Sequence, residues 1–218
     1  MRSLGSGGLA EVYLAHDRVS GRTIAAVAPR RAAGQRRRMI RVLTIPGLWN
    51  SGETHWQTHW ERERQDTSRV VQREWERPNR EEWTARIRGE LRALAAPAVL
   101  AAHSLGCCTL AHLAREATPA ELANVRGALL VAPSDVEAPS YPACTTGFMP
   151  MPLDRLPFPA IVVGSSNDDY VSEARGRFFA AQWGARYVDA GALGHLNSAS
   201  NLGMWPLGQE LLEELLHG

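Results

Sequence analysis

The sequence predicts an α/β fold in which about six mainly parallel strands form a sheet with helices on both faces. Short apolar runs alternate with helical patterns from residue 40 to the end of the chain. This alternation is typical of a parallel sheet covered by helices. The length of 218 residues fits one domain, or one domain with an extension, and is enough to bury a substantial core.

Each predicted strand is a short apolar run bounded by a turn or by a helical pattern. The six strands are Ile40 to Ile45, Arg69 to Arg73, Ala98 to Ala102, Gly127 to Ala132, Ala160 to Gly164 and Arg186 to Asp189. The helical patterns cover about 53 to 65, 80 to 94, 105 to 117, 171 to 182 and 206 to 217. Seven prolines crowd the interval 133 to 159. We therefore expect an irregular loop in that interval and no helical lid.

Residues 1 to 38 differ from the rest of the chain in charge. They contain eight arginines against Glu11 and Asp17, whereas the remainder has 16 arginines against 21 acidic residues. A segment of this length buries too little surface to fold alone. We expect a mobile, non-catalytic extension over 1 to 38 and the functional domain over 39 to 218.

The run from Leu4 to Asp17 resembles the glycine-rich loop of bacterial serine/threonine kinases, including its two flanking strands. All 24 basic residues of the chain are arginine, so the lysine that contacts phosphate in a kinase is missing. No catalytic-loop or D-F-G motif follows. The sequence therefore excludes kinase activity, and the missing lysines also exclude a phosphate-binding P-loop and a Schiff base.

Composition narrows the choice of compartment and partner. The three cysteines, Cys107, Cys108 and Cys144, have no metal-type spacing and argue against a disulfide framework. No run approaches the roughly 18 apolar residues that span a bilayer, and no secretory signal is present near the amino terminus, so we expect a cytoplasmic protein. Nucleic-acid or membrane contact by the stretch Arg30 to Arg38 is less favoured than a solvated linker. A protein partner is left open.

The most informative run is Ala98 to Cys107, an apolar stretch that breaks at Ser104 and continues as a helical pattern. Small residues, Ala102 and Gly106, flank the serine. They are needed where an incoming strand and an outgoing helix pass close together around a nucleophile elbow. This A-x-S-x-G variant of the elbow predicts that Ser104 is a nucleophile.

An acid and a histidine follow Ser104 in the chain order Ser, Asp, His. His195 comes after a glycine-rich turn that follows the last strand, where an imidazole is able to accept the serine proton. Asp168 lies just past a strand and would orient that imidazole. In the alternative interpretation, Asp168 and Asp169 cap the next helix. The sequence leaves open which of these two acids faces the histidine.

Two backbone N–H groups are expected to stabilise the oxyanion that forms during acyl transfer. Leu105, directly after the nucleophile, supplies one, and Leu48 or Trp49 in the loop after the first strand supplies the other. Trp49, His55 and Trp75 border the predicted substrate cleft, although tryptophans more often serve packing.

A metal site is the alternative use of two histidines that share a helical face. His55 and His59 are four residues apart, and Glu53 or Glu61 lies near them in the sequence. The carboxylate does not occupy the H-E-x-x-H position, and the tryptophans of this helix mark it as a packing element. We expect neither a metal nor a cofactor.

The motifs of residues 39 to 218, taken together, resemble the small serine hydrolases similar to retinoblastoma-binding protein nine. The resemblance is carried, in order, by Ile45 to Gly52 with His55 and Trp56, Trp75 to Pro78, Ala102 to Gly106, Val131 to Glu137, Asp168, Gly194 with His195, and Trp205 with Pro206. It implies a lidless α/β-hydrolase domain with a triad of Ser104, Asp168 and His195. Two positions depart from the pattern, because Asp169 stands where relatives often have proline and Glu74 where aspartate is common.

Two functions follow from these observations. The favoured one is a metal-independent serine hydrolase that cleaves a small ester or amide through an acyl-enzyme. The alternative is a binding or scaffold protein that retains the hydrolase fold without catalysis, since a fold does not establish an activity.

Overall fold

The computed structural model describes residues 2–6, 10–16, 23–29 and 40–218, and the chain divides into two compact units, 1–38 and 39–218. In the first unit β1 (Arg2–Ser6), β2 (Ala10–His16) and β3 (Thr23–Pro29) form an antiparallel sheet in that order. Gly7 and Gly8 of the kinase-like motif, the stretch Arg30 to Arg38 and the expected domain start at Met39 lie outside the described residues.

The second unit is built on a six-stranded sheet. Its strands are β4 (Arg41–Ile45), β5 (Thr67–Arg69), β6 (Ala98–His103), β7 (Val125–Val131), β8 (Ala160–Gly164) and β9 (Arg186–Asp189). They lie in the order β5-β4-β6-β7-β8-β9, and every neighbouring pair is parallel. The predicted fold class is confirmed.

Six helices connect or follow these strands. They are α1 (Trp56–Glu63), α2 (Arg80–Ala93), α3 (Leu105–Glu116), α4 (Pro119–Leu122), α5 (Glu173–Trp183) and α6 (Pro206–His217), and a 3₁₀ turn covers Ser198–Ser200. Within residues 40–218, no helix is long and apolar enough to cross a membrane.

The central strands divide the hydrophobic core into two layers because successive side chains point to opposite faces of a sheet. In β6, Leu100 and Ala102 belong to one cluster of buried residues, and Val99 and Ala101 belong to the other. Helices α2, α3 and α5 contribute to the first cluster, and α1 and α6 contribute to the second. Both faces of the sheet are therefore covered by helices.

The second strand differs from its prediction. The sequence predicted Arg69 to Arg73, but β5 covers Thr67–Arg69 and pairs only with β4. Val70 is buried and its N–H still donates to Thr44 O at 2.9 Å, whereas Val71 is exposed. The chain leaves the edge of the sheet at this point, so the apolar pair marks the end of the strand and not its centre.

The interval between β7 and β8 contains no helix across residues 132–159, all of which the structure describes. Phe148 and Met151 bury their side chains in the core, and His112 Nε2 on α3 lies 2.9 Å from Phe148 O. The interval is therefore an anchored irregular loop, and the expectation of no helical lid is confirmed.

Candidate active site

Ser104 lies where β6 turns into α3, on a backbone with φ 55° and ψ −124°. A positive φ is unfavourable for a residue with a side chain, so the surrounding contacts must hold this turn. A Cβ on Gly106 would overlap the carbonyl oxygen of Ile45, and a Cβ on Gly47 would lie 2.7 Å from Ser104 Cβ. Glycine is therefore required at both positions, since the loop after β4 passes directly against the elbow.

Three side chains far apart in the sequence meet at this turn. His195 Nε2 lies 2.8 Å from Ser104 Oγ, and His195 Nδ1 lies 2.9 and 2.8 Å from the two carboxylate oxygens of Asp168. The Asp168 side chain is completely buried and also accepts the Tyr170 N–H at 2.8 Å. An ionised carboxylate only accepts hydrogen bonds, so the imidazole hydrogen belongs on Nδ1 and the Nε2 lone pair faces Ser104.

The acid that contacts His195 is Asp168, whereas the neighbouring Asp169 is exposed. The helix-capping alternative does not describe either residue. Helix α5 begins at Glu173, and its N-cap is Ser172, whose hydroxyl accepts the Arg175 N–H at 3.3 Å. The Asp168 carboxylate is therefore free of a capping role and available to orient the imidazole.

Two backbone N–H groups lie on either side of the elbow. Leu105 is the first residue of α3, so its N–H is among those that a helix leaves without an intrahelical partner. The loop after β4 contacts it, since a Cβ on Gly47 would lie 3.1 Å from Leu105 N. In that loop the Trp49 N–H already donates to Trp75 O at 3.0 Å. The Leu48 N–H has no acceptor among the described residues. This favours Leu48 over Trp49 as the second N–H that would donate to an oxyanion.

A cavity of about 300 Å³ opens over Ser104 and His195. It is lined by Leu48, Trp49, Asn50, His55, His103, Ser104, Tyr141, Tyr170, His195, Asn197, Ser198 and Ala199. None of these lining residues is an aspartate, a glutamate or an arginine. The wall of the cavity therefore offers no permanently charged side chain to a bound molecule.

The three residues predicted to border the cleft have different positions. Trp49 and His55 line the cavity, and the Trp49 side chain is 55 % exposed at its mouth. Trp75 is not part of the lining, which corrects the prediction for this residue. Its ring packs edge to face on Trp83 with 5.5 Å between the ring centroids. Its backbone carbonyl accepts the Trp49 N–H, and this hydrogen bond is its link to the cavity wall.

Two neutral histidines form part of the cavity wall. His55 Nδ1 accepts the Gln57 N–H at 3.2 Å and caps α1, and burial lowers the pKa of His55 to about 3. Burial also lowers the pKa of His103 well below its usual range, and its Nε2 lies 2.9 Å from His195 O. Both rings are therefore neutral near pH 7. Among the described residues, no group of three or more His, Cys, Asp or Glu side chains is arranged to hold a metal.

Sequence reasoning missed several residues of this wall. Asn50 has φ 66°, and its Oδ1 accepts from Ser51 N–H at 2.8 Å and from Arg69 Nη1 at 2.9 Å. This arrangement leaves the Asn50 amide hydrogens for another partner. The Tyr170 ring lies 4.5 Å from that of His195. Tyr141 also faces the cavity, and burial raises the pKa of its phenol, which therefore stays protonated. The polar run Asn50–Ser51–Gly52 after β4 was the one local signal in the sequence, and it pointed only to Asn50.

Comparisons with known proteins identify the family and the fold. The family model of the serine hydrolases matches residues 42–214. A YdeN-like hydrolase from Pectobacterium atrosepticum is 29 % identical, with a TM-score of 0.71 over 82 % of this chain and 91 % of that chain. The ydeN gene product of B. subtilis is 18 % identical, with a TM-score of 0.65 over 82 % of this chain and 100 % of that chain.

A thermophilic esterase from Thermogutta terrifontis is 14 % identical, with a TM-score of 0.61 over 82 % of this chain and 91 % of that chain. At this identity, as for the B. subtilis protein, the likeness is one of fold. No curated protein matches the chain. Because the family model covers well over half of the chain, the protein belongs to the serine hydrolase family and is a serine hydrolase.

Proposed function

We propose that this protein cleaves small esters or amides through an acyl-enzyme, with Ser104 as the nucleophile. His195 acts as the general base and then as the general acid, and Asp168 orients it. The observation that carries the proposal is the continuous series of hydrogen bonds of 2.8 to 2.9 Å from the buried Asp168 through His195 to Ser104 Oγ. A serine hydroxyl is a weak nucleophile until such a base takes its proton.

The steps follow from where the hydrogens sit. The Ser104 hydrogen passes to His195 Nε2 as Oγ bonds to the substrate's carbonyl carbon, while Asp168 stays ionised and stabilises the imidazolium. The N–H groups of Leu48 and Leu105 donate hydrogen bonds to the carbonyl oxygen and stabilise the negative charge that forms on it. His195 then gives its proton to the leaving alcohol or amine. A water molecule then attacks the acyl-enzyme by the same steps, with His195 again taking and returning a proton. This frees Ser104 and releases the carboxylic acid of the substrate.

The size and lining of the cavity support a small, uncharged substrate. A volume of about 300 Å³ is at the lower end of the range of ligand pockets. The exposed Trp49 ring at the mouth offers an apolar surface to the part of the substrate that extends outside.

The proposal is tested with a fluorophosphonate probe, which reacts only with an activated serine. We expect one probe per native chain and none on the heat-denatured chain. Trypsin cleaves after Arg92 and Arg115, so the adduct is expected on the peptide 93–115, which mass spectrometry identifies. An adduct on another peptide would contradict the role of Ser104. Absence of labelling, together with no turnover of acetate to octanoate esters, would favour the binding or scaffold function.

We also propose that residues 39–218 carry the hydrolase activity and that residues 1–38 are a non-catalytic extension. The cavity lining runs from Leu48 to Ala199, and the family match covers 42–214. The finer likeness to retinoblastoma-binding protein nine, and that of residues 1–38 to a kinase loop, stay predictions from the sequence.

A chain that begins at Met39 is expected to keep its rate of ester hydrolysis and its melting temperature to within a few degrees. The physical reason is that the site is assembled from residues 40–218. Steady-state kinetics and a thermal melt on both chains make the comparison. Aggregation or loss of activity in the shorter chain would show that residues 1–38 are an integral part of the domain.

A further inference from the structure

Ser104 Oγ has a second close neighbour that the triad does not include. Ser134 follows β7, is completely buried, and places its Oγ 2.7 Å from Ser104 Oγ. We propose that Ser134 is a positioning residue that donates its hydroxyl hydrogen to the nucleophile and holds it in line with His195. The inference rests on the proposed role of Ser104.

The direction of this hydrogen bond follows from counting hydrogens. Asp168 keeps the imidazole hydrogen on Nδ1, so His195 Nε2 has a lone pair and accepts from Ser104. A hydroxyl has a single hydrogen, and Ser104 has already given its own to His195. The bond between the two serines must therefore be donated by Ser134.

Contacts with three other elements hold Ser134 in place. Cys108 Sγ on α3 donates to Ser134 O at 3.4 Å. The next residue, Asp135, accepts two hydrogen bonds from Arg175 on α5, at 2.8 and 3.0 Å. Its N–H donates to Tyr170 O at 3.1 Å, which ties the loop to the residues that follow β8. The Ser134 hydroxyl is thus presented to the nucleophile by fixed neighbours.

The donated bond acts most strongly during attack on the substrate. As the Ser104 hydrogen moves to His195, Oγ gains negative charge, and a hydrogen bond to a charged oxygen is stronger than one to a neutral hydroxyl. After acylation the same Oγ is an ester oxygen and a weaker acceptor. Ser134 therefore stabilises the transition state of acylation more than it stabilises bound substrate.

The test measures the inactivation constants of the fluorophosphonate probe, kinact and KI, for Ser134→Ala and wild type. We expect kinact to fall by about tenfold to a hundredfold, with KI unchanged, because a bond to a charging oxygen is lost. Ser134→Cys keeps a weak donor, and its kinact is expected to lie between the two. Thr84→Val is the matched control, since it removes another buried hydroxyl, one that donates to Glu81 O in α2. Its kinact is expected to equal that of wild type.

Each other outcome has a defined meaning. If wild type is not labelled, the proposed function fails, and the proposal for Ser134 fails with it. If wild type is labelled and Ser134→Ala is labelled as fast as wild type, only the role of Ser134 is overturned. Faster labelling of Ser134→Ala would overturn it too, because it would show that Ser104 donates to Ser134 in the resting enzyme. A loss confined to KI would assign Ser134 to binding and not to positioning.

Discussion

Ser104→Ala is expected to lower kcat for any ester that the wild-type protein hydrolyses by about 10⁵- to 10⁶-fold. The substitution removes the only atom of the triad that bonds to the substrate, while His195 and Asp168 stay in place. Residual turnover would come from the two N–H groups of Leu48 and Leu105, which still polarise the carbonyl. Steady-state kinetics on purified protein, with fluorophosphonate labelling as a second readout, measure the loss.

The fold of Ser104→Ala is expected to persist. Alanine meets the same positive φ as serine, and the lost hydroxyl leaves His195 and Ser134 each short of one hydrogen bond, at a cost of about 1 kcal/mol apiece. Ser172→Ala is the matched control, since it removes the exposed cap of α5 and is expected to lower stability by about 1 kcal/mol without changing kcat. Turnover that survives in Ser104→Ala would mean that another residue is the nucleophile.

The central sheet was predictable because its strands are buried on both faces. Successive residues of 98–102 in β6 and 128–131 in β7 alternate between the two core layers, so an unbroken apolar run marks this part of each strand. The predicted position of the edge strand β5 was wrong by a few residues, because this strand has one neighbour and little burial. Its position depends on pairing with β4, which the local sequence of Thr67–Arg69 does not encode.

The candidate triad was predictable from chain order and from small residues around Ser104, but its surroundings were not. Ser134 reaches Ser104 across 30 positions, and Asn50 is oriented by Arg69, so no local pattern marks either contact. Strand alternation alone would place His103 on the opposite face of β6 from Ser104. The strand ends at His103, and the positive φ of Ser104 turns the chain, so both side chains line the cavity.

Tryptophans show a different limit of sequence reasoning. Trp49 and Trp75 both looked suited to border a cleft, and a large aromatic ring serves packing and binding equally well. Only the tertiary structure separates them. The Trp49 ring is exposed at the cavity mouth, whereas the Trp75 ring is packed on Trp83.

The adjacent acids Asp168 and Asp169 give the second large expected effect. Asp168→Asn is expected to lower kcat by about 10⁴-fold, because an amide in that position is able to donate to Nδ1. The imidazole hydrogen would then sit on Nε2, which faces Ser104 Oγ and would no longer accept its proton. Steady-state kinetics on the same ester measure the effect, and a thermal melt checks that the variant is folded.

Asp169→Asn is the matched control, because it makes the same chemical change one residue away on an exposed side chain. Its kcat is expected to stay within a few-fold of wild type, since an exposed charge near the site is screened by solvent. A large loss in Asp169→Asn alone would move the acid by one residue. Equal losses in both variants would mean that net charge around His195 matters more than its tautomer. A large loss confined to Asp168→Asn is the result expected if a buried carboxylate fixes the hydrogen on Nδ1 and leaves Nε2 free to act as the base.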